Sequence, residues 1–182
     1  ADRPVPLWEI RAAEVVHDEA ARQLHFRSAQ FRLAGVPVLW LPWLRMPDPT
    51  LKRATGFLLP SIRTTSTLGT GIRLPYFIAL GPSRDLLLTP YISTDRTRTL
   101  QFRYRQALRN GGFGFQGAVS RDDLQPGATR GYIFGAGALT LGRGWGLSFR
   151  LEAVSDPTYL ADYGLGRRDR LTSGITLERV RR

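Results

Sequence analysis

From Phe57 onward the chain is written almost entirely in a two-residue period, in segments of about ten residues. Successive side chains of a β-strand point to opposite faces, so this period gives each segment one apolar and one polar side. Leu100, Phe102 and Tyr104 alternate with Gln101, Arg103 and Arg105. Trp145, Leu147, Phe149 and Leu151 alternate with Ser148, Arg150 and Glu152, and Leu171, Ile175 and Leu177 with Thr172, Thr176 and Glu178. About eight such strands are predicted, over Phe57–Thr65, Gly71–Leu80, Asp85–Ser93, Thr97–Leu108, Gly112–Arg121, Gly131–Leu141, Trp145–Val154 and Arg170–Val180. A tilted membrane strand needs about 9–11 residues, whereas strands of globular proteins average about 5–6. Length leans towards a membrane barrel with its apolar face outward, although a soluble sandwich alternates in the same way with that face inward.

The connections separate these two cases in part. Outer-membrane barrels carry short turns at one end and long loops at the other. If the first strand rises from the periplasm, the short turns are Gly81-Pro82-Ser83-Arg84, Arg109-Asn110-Gly111 and Gly142-Arg143-Gly144. Asp122 to Arg130 and Ser155 to Asp169 are then the long loops, with Thr94-Asp95-Arg96 short and uninformative. Asn110-Gly111 is a favoured hairpin pair. The longest apolar run, Leu33 to Leu44, is broken by Pro37 and Pro42 and is too short for a spanning helix of about 20 residues. A membrane crossing by this chain would need a closed barrel.

The first 46 residues have a different rhythm. Short runs at Trp8-Ile10-Ala12, Leu24-Phe26, Phe31-Leu33 and Val36–Pro42 predict strands of about five residues with close turns, as in a sandwich, jelly roll or β-solenoid. Met46-Pro47-Asp48-Pro49 predicts a stiff linker, since proline fixes φ and resists helix. The expected organisation is residues 1–46, a linker over 47–56, and barrel strands over 57–182. The start, Ala-Asp-Arg, shows neither Met nor a signal-peptide pattern, so an exported chain would begin at a mature or internal residue.

Positive charge is nearly all arginine. The net charge is +11, and Lys52 is the one lysine. Arginine pairs bidentately with phosphate or carboxylate, so nucleic acid, an anionic membrane or a phosphorylated ligand all remain open. Motifs for catalysis are missing. His17 and His25 read as a turn and a strand residue rather than metal ligands, and Asp122-Asp123 as a solvated tip. The glycines at 135 and 137 precede a strand, unlike a phosphate loop, which opens a helix. No disulfide or thiol chemistry arises without cysteine. No enzyme and no cofactor are expected.

Three stretches, taken in order, resemble the LptD family. The first is Gly35-Val36-Pro37-Val38-Leu39-Trp40-Leu41-Pro42-Trp43 followed by Pro47-Asp48-Pro49-Thr50-Leu51-Lys52-Arg53-Ala54-Thr55-Gly56-Phe57-Leu58-Leu59-Pro60. The second is Leu74-Pro75-Tyr76-Phe77 with Gly81–Leu86 and Leu88-Thr89-Pro90, and the third is Ser155–Tyr163 with Asp169–Ser173. This resemblance implies the end of a periplasmic OstA-like β-jelly-roll followed by an incomplete outer-membrane barrel. It also implies lipopolysaccharide as cargo, the lipoprotein LptE as barrel plug, the periplasmic bridge protein LptA as neighbour, and no nucleic acid.

On that reading Trp8, Ile10, Leu24, Phe26, Phe31 and Leu33 line an acyl-chain groove, or are simply core. Ser61, Arg63, Arg73, Gln101, Arg103, Arg105 and Gln116 face the lumen, touching phosphates and sugars or bonding among themselves. Pro60 and Pro75 lie inside the first two predicted strands and, lacking a ladder donor, would loosen a lateral gate. Two alternatives stand beside this one: a fragment of a generic outer-membrane porin or transporter, and a soluble arginine-rich β-domain that binds nucleic acid.

Overall fold

In the computed structural model the described residues are 8–33, 35–48, 53–94, 97–166 and 170–180. They are antiparallel strands with one short helix, so the fold is all-β. The chain divides into two compact units, Ala1–Pro60 and Ser61–Arg182.

The first unit contains β1 (Trp8–Arg11), β2 (Glu14–Asp18), β3 (Gln23–Leu33), β4 (Val36–Pro47) and the two-residue β5 (Gly56–Phe57). β3 is its centre, pairing with β1 and β2 along one side and with β4 along the other. The runs at Leu24-Phe26 and Phe31-Leu33, predicted as separate strands, belong to this single strand. Between them Ser28 takes a left-handed φ of 51°. An unbroken strand would send even and odd positions to opposite faces. Here Leu44, the partner of Phe26, and Phe31 are both buried, so the buried side changes parity across Ser28. β4 carries Pro37, Pro42 and Pro47, which a strand paired on one side tolerates, and among the described strands β4 pairs with β3 alone. A register shift facing Phe31 and Arg32 falls where Pro37 has no N–H to give. Met46 and Pro47, expected in the linker, pair with Leu24 and Gln23. His17 lies in β2 rather than in the expected turn, with its Nε2 2.7 Å from the Asp48 carboxylate.

The second unit is one antiparallel sheet. Its strands are β6 (Ser61–Thr65), β7 (Gly69–Arg73), β8 (Tyr76–Ala79), β9 (Arg84–Ser93), β10 (Arg98–Leu108), β11 (Gly111–Arg121), β12 (Arg130–Gly142), β13 (Trp145–Val154) and β14 (Gly174–Arg179). They follow the order β14-β13-β12-β11-β10-β9-β7-β6, with β8 also on β9. Apart from β7 and β8, which both lie on β9, sequence neighbours are paired, as in a meander with short turns. At one end the connections are the turns at Arg109-Asn110 and Arg143-Gly144, and Asn110 ties its turn to the Thr140 carbonyl at 2.9 Å. At the other end lie the long loops, and the second of them holds α1 (Tyr159–Asp162).

Two predicted strands are broken. The first stops at Phe57 and resumes at Ser61, and the second pauses at Leu74-Pro75. Pro60 and Pro75 therefore sit in gaps between strands, not inside them. The gap at Pro75 leaves the register unchanged, since Arg73 faces Tyr91 and Tyr76 faces Leu88. The last strand begins at Gly174 rather than Arg170. Its predecessors bond sideways instead, Thr172 N–H to the Glu152 carboxylate at 3.1 Å and Ser173 Oγ to the Glu152 carbonyl at 3.2 Å.

Candidate functional site: the polar face of the long-stranded sheet

Directly paired residues of an antiparallel sheet share a face. Tracing the register puts Ile62, Ile72, Ile92, Leu88, Leu100, Phe102, Tyr104, Val119, Phe115, Ile133, Leu151, Phe149, Ile175 and Leu177 together on one face. That face is uncovered: Ile92 is 63% exposed, Val119 56% and Ile175 78%. Soluble monomers rarely expose a continuous apolar surface beyond a few hundred Å². The sandwich alternative requires this face to be the packed one, and it is the open one. Its aromatic rings close over neighbouring glycines. A Cβ on Gly135 would lie 2.4 Å from Phe115 Cδ1, and one on Gly137 2.5 Å from Phe149 Cε1. The glycine pair, within the predicted strand Gly131–Leu141, is thus a bed for phenyl rings, and Phe115 and Phe149 stack there at 5.8 Å.

The opposite face gathers every residue predicted for the lumen. Ser61 faces Arg73, Arg63 faces Gly71, Gln101 faces Ala118, Arg103 faces Gln116, and Arg105 faces Gly114. Phe102 and Tyr104 point to one side of β10 and Arg103 and Arg105 to the other, so these four form no common stacking surface for bases. Within this face the arginines differ. Arg105 is held bidentately by Asp85 at 3.0 and 3.1 Å, and Arg63 donates to the Tyr163 carbonyl at 2.8 Å. Arg103 makes no hydrogen bond or ion pair among the described residues. It borders an open trough of about 590 Å³ with Arg105, Gln116, Phe134, Arg150 and Glu152.

At the long-loop end the polar face is closed by a dense cluster. Arg130, 2% exposed, opens β12. It grips Asp156 bidentately at 2.8 and 2.9 Å, Asp162 at 2.7 Å, Thr158 at 3.0 Å and Asp122 at 3.2 Å. Asp122 also accepts from the Tyr163 hydroxyl at 2.7 Å and from the N–H groups of Leu124 and Gln125, both at 3.1 Å. This corrects the reading of Asp122 as a solvated tip: it is 5% exposed and caps its own loop as an Asx turn. Tyr159 and Tyr163 stack at 4.4 Å, and with Leu160 they pack on Leu68 and Tyr91 as the core of the unit. A hydrogen-bonded row, Thr99 to Ser120 to Tyr159, runs beneath them at 2.8 Å per step.

The loop's ionisable groups carry the imprint of this packing. The hydrogen bonds from Arg130 hold the Asp156 carboxyl well below the usual carboxylate range. Burial pushes the Tyr159 phenol up to about 12, and burial raises Tyr163 as well, helped by its bond to Asp122. Sequence reasoning assigned none of these residues a role. The available signal was Asp156-x-Thr158 before Tyr159, a short-range Asx pattern in which Thr158 N–H bonds Asp156 at 3.2 Å.

In the first unit, the expected groove residues fall into two register groups. Ile10 pairs with Phe31 and backbone Trp8 with Leu33, while Leu24 and Phe26 pair with Met46 and Leu44. Phe31 is buried at 5%, whereas Ile10, Leu24 and Phe26 are partly exposed.

The ladder around the second gap is asymmetric. Leu74 N–H bonds the Pro90 carbonyl at 3.2 Å, and Pro90 has no N–H to return. Adjacent amides of a strand point to opposite sides, so the donor missing at Pro75 is on the side away from β9, towards the β6 edge of the sheet order.

A family model described as LPS transport system D matches residues 128–182. A protein of Burkholderia thailandensis named LPS-assembly protein LptD is 32% identical over 171 residues, which are 93% of this chain and 21% of that protein. Proteins of the same name from Yersinia pestis and Shewanella frigidimarina are 28% identical over 163 residues and 30% identical over 159 residues. The chain spans about a fifth of the length of these curated relatives.

Proposed function

The chain belongs to the LptD family, and on that premise we propose that it serves lipopolysaccharide transport and assembly at the outer membrane, as part of the wall of a translocon. One observation carries this reading. The same strands present an open apolar face and an arginine-rich polar face, with lengths that suit a bilayer. Such a wall meets lipid on one side and lets a phosphorylated sugar headgroup pass along the other. The task is transport, with no bond made or broken.

In this proposal residues 57–182 are barrel strands, residues 1–46 the end of a periplasmic β-domain, and 47–56 the join. Acyl chains run along the side of the first unit that carries Ile10, Leu24, Phe26 and Phe31, with Trp8 and Leu33 on the same strands. Pro60 and Pro75 weaken pairing at the β6 edge, where a lateral gate would open, and the missing donor of Pro75 on that side supports the assignment. LptE as plug and LptA as bridge complete the proposed partners.

The test is site-specific photo-crosslinking in cells, in the intact outer-membrane protein that carries this sequence. A photoreactive residue at Arg103 or Phe26 is expected to capture lipopolysaccharide, and one at Leu100 phospholipid. Capture of lipopolysaccharide at none of these positions would contradict the reading. Replacing both Pro60 and Pro75 is expected to slow delivery to the outer leaflet, and unchanged delivery would remove the gate assignment.

A further inference from the structure

One polar row crosses the sheet: Ser61, Arg73, Tyr91, Thr99, Ser120 and Arg130 stand in direct register from β6 to β12. Its Arg130 end is saturated with acceptors. Its other end, Ser61, Arg73 and Tyr91, holds no carboxylate. Among the described residues Arg73 Nε is buried without a hydrogen-bond partner, and so is the hydroxyl of Tyr91, a residue only 2% exposed. Arg73 lies over the Tyr91 ring, with Cζ 5.8 Å from the centroid. That contact uses the face of the guanidinium and leaves the N–H groups at its edge unspent.

Arg63 adds a second cation close enough to repel Arg73. Its bond to the Tyr163 carbonyl anchors it without neutralising it. Nearby carboxylates are committed elsewhere among the described residues: Asp85 to Arg105, and Asp122, Asp156 and Asp162 to Arg130. Tyr91 is also held in place from below. A Cβ on Gly71 would lie 2.4 Å from Tyr91 Cε2, so the ring rests directly on bare backbone.

We propose that Arg73, Arg63 and Tyr91 form an oxyanion site on the polar face, and that its ligand is a phosphate group. Burying donors without acceptors is costly, and a like-charged pair adds to that cost. An incoming group must therefore bring several acceptor oxygens and more than one negative charge. A phosphate monoester carries about −1.5 to −2 at neutral pH, and its oxygens match the guanidinium fork. A carboxylate offers one charge and two oxygens, which leaves one arginine uncompensated. The donor geometry stands independently of the transport reading; only the carrier of the phosphate, a glycolipid headgroup rather than free phosphate, rests on that reading.

The test uses the intact protein in detergent, at fixed ionic strength, with inorganic phosphate as the probe and phosphorus NMR or calorimetry as the readout. Saturable phosphate binding is expected. R73Q should weaken it at least tenfold, and Y91F, which keeps the ring under Arg73, by several-fold with unchanged heat resistance. No saturable binding, or equal binding by wild type, R73Q and Y91F, overturns the site. Displacement of phosphate by purified lipopolysaccharide identifies the headgroup as the source. Phosphate binding that is lost in R73Q but not displaced by lipopolysaccharide supports the oxyanion site and removes the glycolipid as its carrier.

Discussion

Arg130 ends a cross-strand row and Arg73 stands one strand in from its other end, yet they live in opposite chemical worlds. Arg130 meets three carboxylates and a threonine hydroxyl, and Arg73 meets a tyrosine face and another arginine. The difference teaches that arginine content alone is a poor guide to what such a surface binds. One guanidinium is a structural rivet that fastens the long loops over the sheet, and the other is held ready for an outside anion. Arg103 and Arg150, bordering the open trough, extend the second kind along the polar face.

The sharpest way to break the comparison is to remove the rivet. Arg130→Ala leaves three buried or half-buried carboxylates unpaired, which costs about 3–5 kcal/mol at the loop end. Protease cleavage within residues 155–166 should then become fast while the strands stay paired. Arg130→Lys should fall between, since a point charge cannot reproduce the bidentate grip on Asp156. An unaltered cleavage rate in Arg130→Ala would mean that the loop is held by its tyrosines alone.

Asp156→Asn is the next in size, at about 1–3 kcal/mol. The same contact sets a pH dependence. The folded carboxyl is held below its unfolded value of about 4, so its stabilisation is present above that pH and is lost progressively as pH falls below it. For Tyr159 the sign reverses, because its folded value is raised. That contribution is intact below an unfolded value of about 10 and is lost as pH rises towards about 12. Hydrogen exchange of α1 should therefore show protection at neutral pH and loosening at both extremes. A loop equally protected at pH 3 and pH 7 would argue against the Arg130–Asp156 contact.

A smaller effect is expected on the apolar face. Gly135→Ala pushes a methyl group into the Phe115 ring and should cost about 1–2 kcal/mol of stability, read as heat resistance of the intact protein. Smallest in stability is Arg103→Ala, within about 0.5 kcal/mol, because the side chain is exposed and unpaired among the described residues. Its effect should appear instead in lipopolysaccharide crosslinking and delivery. If Arg103→Ala destabilised the protein as much as Arg130→Ala, the distinction between the two kinds of arginine would vanish.

Much of the second unit was legible from parity. The bounds of β9 to β13, the turn at Asn110-Gly111 and the shared face of Arg63, Arg73, Gln101, Arg103, Arg105 and Gln116 all follow from counting twos. What stayed hidden depends on contacts that counting does not reach. Asp122 looks like a surface acid until Arg130 and Tyr163 arrive from 8 and 41 residues away. Ser28 carries no mark of the left-handed backbone that fuses two short runs into β3. Pro60 and Pro75 were placed inside strands because the alternation continues across them, although their missing donors open gaps. The orphaned Tyr91 hydroxyl is invisible without knowing that Gly71 lies under its ring.

The central claim is that one face of these strands meets lipid and the other a water-filled lumen. Single cysteines from Leu100 to Arg105, introduced into the intact protein in bilayers, test it directly, since this stretch contains no native cysteine. Reaction with a membrane-impermeant maleimide should alternate, with Gln101, Arg103 and Arg105 labelled and Leu100, Phe102 and Tyr104 protected. Spin labels at the protected positions should be relaxed by lipid-soluble oxygen. The opposite parity, or uniform labelling along the strand, would contradict the claim.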